Sequence, residues 1–174
     1  MTTGNGTKPR AAWIGLGANL PSRIGGPKET LAAARARIGE LPETRVTAAS
    51  SLYESAPVDA GGPPFINQVL RVETALPALS LLEGLQAIEL AFGRERPFRN
   101  APRTLDLDLL LVAGETHTDA VLTLPHPRLH ERLFVLMPLA EIDADLHVPG
   151  LGTAATLLAQ LLATEHGQDC RQLI

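Results

Sequence analysis

The stretch APRTLDLDLLL, Ala101 to Leu111, governs the reading of this chain. Leucines alternate with two aspartates, the pattern of an extended strand over 104–112, because side chains on a strand point to its two faces in turn. Leu105, Leu107, Leu109 and Leu111 then share one face, and Asp106 and Asp108 share the other. Two residues of rise place the aspartate Cα atoms roughly 6.6 Å apart, close enough for both carboxylates to serve one site. Adjacent anions repel, and carboxylates taken into an apolar run need a partner. A hard divalent cation is the usual remedy. Mg2+ takes one or two carboxylates and completes its shell with water and substrate phosphate, and two such ions can clamp a polyphosphate. An edge strand with a solvated polar face gives the same alternation, so the neighbours must decide.

Those neighbours are cationic. GRERPFRNAPR (93–103) packs Arg94, Arg96, Arg99 and Arg103 into ten residues, and of fifteen Lys plus Arg only Lys8 and Lys28 are lysine. Planar guanidinium groups bind phosphate in pairs of hydrogen bonds, so an Arg island in a chain of net charge −4 suits a small polyanion. The net charge argues against general nucleic-acid binding. Beyond the strand, LTLPHPRLHERLF (122–134) holds His126, Arg128, His130, Arg132 and Phe134. Pro125 and Pro127 pin the backbone on both sides of His126, which favours a fixed imidazole for phosphate oxygens. No His or Cys has zinc-site spacing. His130 reads as a surface residue at a helix start, and His117 and His166 as loop or tail residues. Arg132 and Phe134 are too close in sequence to share a helix face, so one is expected to meet phosphate and the other to point elsewhere. Metal and arginines together are the electrostatics of phosphoryl transfer.

The remaining elements follow from periodicity. AAWIGLGA (11–18) reads as a buried strand ended by Gly, and a helix follows with Leu31, Ala34, Ile38 and Leu41 at three- and four-residue spacing. A strand is expected over 45–54, a loop over 55–64 and an alternating strand over 65–74, with Ile66, Leu70 and Val72 on one face and Phe65, Asn67 and Val69 on the other. A second helix over about 78–92 ends at Gly93. After the 104–112 strand come a turn near Gly114, a short extended piece, a helix interrupted at Pro138 and a closing helix over TAATLLAQLLA. The order β-α-β-β-α-β with C-terminal helices indicates an α+β fold, with helices against one face of a mostly antiparallel sheet. The 174 residues read as one domain over 11–165, with a flexible N-terminal tail at 1–10 and a C-terminal tail at 166–174. No apolar run approaches the ~20 residues of a membrane span and no signal-peptide core is present, which reads as a soluble cytoplasmic protein. A lone cysteine, Cys170, excludes an internal disulfide.

Several motifs are missing or incomplete. There is no GxxxxGK[ST] and no GxSxG, and GLGANL puts Leu20 at the third glycine of a dinucleotide fingerprint. Two other readings of the aspartate pair are a metal-dependent glycosyltransferase and a nucleotide-sensing module without chemistry. The glycosyltransferase leaves unexplained the Phe65/Asn67 face, whose ring and amide suit a flat heteroaromatic with a polar edge, and product formation from ATP would separate the sensor from an enzyme. Burial of both Phe65 and Phe134 in a core is the alternative for those rings.

WIGLGANL, SSLYESAPV, FINQV, IELAFGRER, APRTLDLDLLL and LPHPRLHERLFVLMPLAEI together resemble the 6-hydroxymethyl-7,8-dihydropterin pyrophosphokinases of folate biosynthesis, over nearly the whole chain. The resemblance implies a ferredoxin-like βαββαβ core and an ATP- and Mg-dependent diphosphotransferase, a diphosphokinase that passes pyrophosphate from ATP to the pterin hydroxymethyl group and releases AMP. It implies that Asp106 and Asp108 hold two Mg2+ ions, that Arg94 and Arg103 engage the phosphates, and that Gln86, Glu89, Arg96, Thr123, His126 and Arg132 complete the ATP pocket. The pterin would lie between Phe65 and Phe134, read by Asn67 and the backbone at Ser55, Pro57 and Val58. ATP and the pterin are the partners so implied, on a monomer that binds neither nucleic acid nor membrane.

Overall fold

A computed structural model describes residues 8–57, 62–93 and 104–174. In chain order the elements are β1 (Arg10–Ala18), α1 (Pro27–Gly39), β2 (Thr44–Ala49), β3 (Tyr53–Ser55), β4 (Phe65–Thr74), α2 (Ala78–Ala91) and β5 (Asp106–Val112). There follow two short hairpins, β6 (His117–Thr118) with β7 (Thr123–Leu124) and β8 (His147–Val148) with β9 (Gly152–Thr153). A 3-10 turn (Leu129–Glu131) and α3 (Leu133–Asp143) separate the hairpins, and α4 (Ala154–Leu162) and β10 (Cys170–Gln172) close the chain.

The main sheet runs β10-β3-β4-β1-β5, with β2 pairing β4 beyond the reach of short β3, and every pairing in it is antiparallel. Two crossovers build it, β1-α1-β2 and β4-α2-β5, which is the ferredoxin-like arrangement expected. Pro27 opens α1 in the first helical turn, where a missing N–H costs nothing. Gly93 follows α2 with φ +79°, a left-handed conformation that glycine adopts without penalty.

Helices cover both faces of the sheet, not one. Against α1 and α2 lies a core of Ile14, Leu16, Leu31, Ile38, Leu70, Leu81 and Leu85, and against α3 and α4 a second core of Trp13, Val69, Leu110, Leu136, Leu139 and Leu157. The second face is apolar enough to need its own cover, since each fully buried leucine contributes about 2 kcal/mol. Trp13 also donates from Nε1 to Asp143 Oδ2 at 2.8 Å, tying the end of α3 to the sheet.

Four local expectations are corrected. The 45–54 strand is two strands, because Ser50 turns its hydroxyl to accept from Val69 N–H at 3.0 Å and so takes the place of a ladder partner. Leu111 parts from Leu105, Leu107 and Leu109: the register jumps from Trp13↔Leu111 to Ile14↔Leu109, leaving Leu110 as a bulge that sends Leu111 into the second core. α3 runs through Pro138, which is buried, so tertiary packing outweighs the hydrogen bond lost there. Finally, the tail at 166–174 contains a sheet strand. Cys170, Arg171 and Gln172 pair with Ser55, Glu54 and Tyr53.

Candidate active site

Sheet register places the candidate side chains. Asp106 stands opposite Gly17 on β1, Gly17 opposite Asn67 on β4, and Asn67 opposite Tyr53 on β3. In the next row, Asp108 faces Gly15 and Gly15 faces Val69. Paired residues project to the same face, so Asp106 and Asn67 lie on one surface about 10 Å apart, two strand spacings across. Nothing but glycine separates them. A Cβ at Gly17 would stand 3.3 Å from Asn67 Oδ1, so the bare backbone leaves a trough between carboxylate and amide.

On the amide side Asn67 is buried, and its NH2 donates to Ser55 Oγ at 2.8 Å, next to Tyr53 O at 3.5 Å. Phe65 pairs with Ser55 and is partly exposed beside this cluster. Pro57 follows, partly buried. Tyr53 OH donates to Glu141 Oε1 at 2.7 Å, while Glu141 Oε2 accepts from Ser51 N–H at 2.8 Å, which pins β3 to α3.

On the carboxylate side, Arg132 Nη1 lies 3.8 Å from Asp108 Oδ2, both side chains being about a quarter to a third exposed. The same guanidinium lies over the Phe134 ring, 5.5 Å from its centroid. Arg132 and Phe134 were expected to diverge; they stack, because Arg132 is an extended N-cap residue (φ −118°, ψ 116°) and not part of the helix. His126 is held by N–H donation to Leu110 O at 2.8 Å, and its Nδ1 accepts from Arg128 N–H at 3.2 Å. That leaves Nε2 to carry the proton of the neutral ring. Burial, reinforced by the Arg132 and Arg128 charges and opposed by Asp106, pushes its pKa down to about 4. His126 is therefore a neutral hydrogen-bond donor near pH 7, not a cation.

Glu89, on α2, is buried and accepts from Leu107 N–H at 3.1 Å, so it grips β5 between the two aspartates. Gln86 is exposed on the same helix, and Thr123 is exposed on its hairpin with its hydroxyl donating to Asp119 O at 3.2 Å. Val58, Arg94, Arg96 and Arg103 lie outside the described residues. Sequence reasoning missed Gly17 as the floor of the trough; a glycine inside a buried strand was the available signal. It also missed Glu141, whose partners lie 88 and 90 residues away.

Among the described residues no three His, Cys, Asp or Glu side chains gather to hold a metal. The aspartate pair offers two hard-oxygen groups on a partly exposed face, a donor set that fits Mg2+ sharing its shell with water and phosphate.

Comparison with known proteins gives the chain its relatives. The family model of 7,8-dihydro-6-hydroxymethylpterin-pyrophosphokinase (HPPK) matches residues 13–144. The 2-amino-4-hydroxy-6-hydroxymethyldihydropteridine pyrophosphokinase of Pseudomonas aeruginosa is 44% identical over 138 residues, covering 79% of this chain and 83% of its own. That of Haemophilus influenzae is 41% identical over 150 residues, covering 86% and 91%. Among solved structures, a Plasmodium falciparum HPPK-DHPS triple mutant superposes with a TM-score of 0.68 at 15% identity. The match takes in 90% of this chain but 45% of that longer one, and speaks for the fold.

Proposed function

This chain belongs to the 7,8-dihydro-6-hydroxymethylpterin-pyrophosphokinase family, and from that premise we propose that the trough floored by Gly17 is its active site. The reaction is transfer of pyrophosphate from ATP to 6-hydroxymethyl-7,8-dihydropterin, giving the pterin diphosphate and AMP in folate biosynthesis. The observation that carries the site is the row Asp106–Gly17–Asn67, which sets an anionic group and an amide on one bare surface.

Asn67, oriented by Ser55, reads the polar edge of the pterin, with the backbone at Ser55, Pro57 and Val58 beside it and the rings of Phe65 and Phe134 on its two faces. Asp106 and Asp108 hold Mg2+, two ions in this reading, which when bound neutralises phosphate charge and aligns the ATP chain. Arg132, steered by Asp108 and the Phe134 ring, meets phosphate oxygens, and neutral His126 donates from Nε2–H. Arg94 and Arg103 also belong to the phosphates, and Gln86, Glu89, Arg96 and Thr123 to the nucleotide side. The pterin hydroxyl oxygen forms its bond to the β-phosphorus as the bond from that phosphorus to the AMP oxygen breaks, and the hydroxyl proton passes to water. Positioning and charge neutralisation do most of the work. No helix among the described residues is long and apolar enough to cross a membrane; we place the enzyme in the cytoplasm as a monomer.

Nucleotide analysis tests the assignment. AMP should form from ATP only when the pterin is present. Binding of ATP without product, or ADP as the product, would overturn it.

A further inference from the structure

The C-terminal segment reaches both sides of the trough. On one side Ala56 N–H donates to Asp169 O at 3.2 Å, and β10 continues the contact, Cys170 pairing with Ser55. These bonds fix the backbone that orients Asn67. On the other side, the side chain of Gln168, two residues before β10, spans the junction of the 3-10 turn and α3. Its Nε2 donates to Glu131 O at 2.8 Å and its Oε1 accepts from Leu133 N–H at 3.0 Å. Those two peptide groups flank Arg132. Arg132 makes no side-chain cap of its own, so Gln168 satisfies the first amide of α3 in its place. Gln168 is itself braced, its N–H donating to His166 Nδ1 at 3.0 Å.

A primary amide that grips the peptide groups on both sides of one residue restricts that residue's φ and ψ together. Arg132 is the residue so gripped, and its extended backbone is what carries the guanidinium over Phe134 and toward Asp108. We propose that Gln168 is a positioning residue for Arg132, and that segment 166–172 straps the pterin-binding strand to the phosphate-binding arginine. The inference rests on the site assigned above.

The test is a double-mutant cycle of Gln168→Ala and Arg132→Ala on the full chain, reading MgATP affinity by calorimetry and KM by AMP release. Gln168→Ala should weaken MgATP roughly tenfold, since a small misplacement of a binding group is costly. In the Arg132→Ala background the same change should do almost nothing. Gln168→Glu keeps the acceptor for Leu133 N–H but turns the donor to Glu131 O into a repelling oxygen; it should fold and weaken MgATP as well, which secures the test if Gln168→Ala does not fold. Unchanged MgATP affinity in the folded variants, or the same loss with and without Arg132, would overturn the proposal. If the wild-type chain makes no AMP while the cycle still shows coupling, the reaction assignment falls and the positioning role stands.

Discussion

Gly17→Ala is the sharpest perturbation the fold offers, because it adds one methyl group to the space between Asp106 and Asn67. Gly17 has no left-handed backbone, so alanine meets no conformational barrier there. The new Cβ would come to 3.3 Å from Asn67 Oδ1, and the amide must yield by a few tenths of an ångström. Asn67 is held at its other end by Ser55 Oγ at 2.8 Å, so that push misaligns the amide instead of moving it freely. Two stability effects oppose each other. Replacing glycine stabilises by about 0.4–1 kcal/mol through the unfolded chain, and crowding costs about 1 kcal/mol. The melting temperature should therefore move by no more than a few degrees. Activity has no such compensation. A methyl group at the proposed meeting point of the substrates should raise the barrier by about 2–3 kcal/mol, a fall of roughly 30- to 160-fold in kcat/KM for the pterin. Steady-state AMP release and a thermal melt on the same preparation decide it. Wild-type kinetics in a folded variant would show that the substrates do not meet over Gly17.

Two further perturbations address the supports of the site. The folded pKa of His126, about 4, lies below its ordinary 6.5, so the unfolded chain takes up a proton that the folded chain refuses. Its contribution to stability is present above about pH 6.5 and is lost as pH falls toward 4; at pH 5 the loss is about 1 kcal/mol after discounting for partial exposure. Urea unfolding at pH 7 and pH 5 should show a smaller acid loss in His126→Gln than in the wild type, and equal losses would contradict the burial of the imidazole. Tyr53→Phe removes the hydrogen bond to Glu141, within a setting where burial and then the Glu141 carboxylate push the phenol pKa upward. That variant should lose about 1–2 kcal/mol of unfolding free energy, read as a lower urea midpoint with an unchanged slope; no loss would mean that Glu141 prefers water.

Local signals carried most of the fold. β4 occupies Phe65–Thr74 as its alternation indicated, and Gly93 ends the second helix region. The aspartate pair was legible because two-residue spacing on a strand fixes a shared face without knowledge of the rest. What stayed hidden depends on distant partners. Ser50 splits a strand by bonding to Val69, and the Leu110 bulge exists only in the register against β1. Gln168 acts through peptide groups 35 and 37 residues away, and nothing in the local sequence marks a glutamine as the brace of an arginine. Gly17 was visible, but it gains meaning only once Asp106 and Asn67 are known to stand on either side.

Counting metal ions tests the heart of this account. Mn2+ can replace Mg2+ as a spectroscopic probe, and its binding in the presence of an unreactive ATP analogue can be followed by electron paramagnetic resonance. The wild-type chain should saturate at two ions, and Asp108→Asn should lose at least one of them together with turnover. Equal numbers of ions bound with equal affinity in the two proteins would place the metal, and the chemistry, elsewhere.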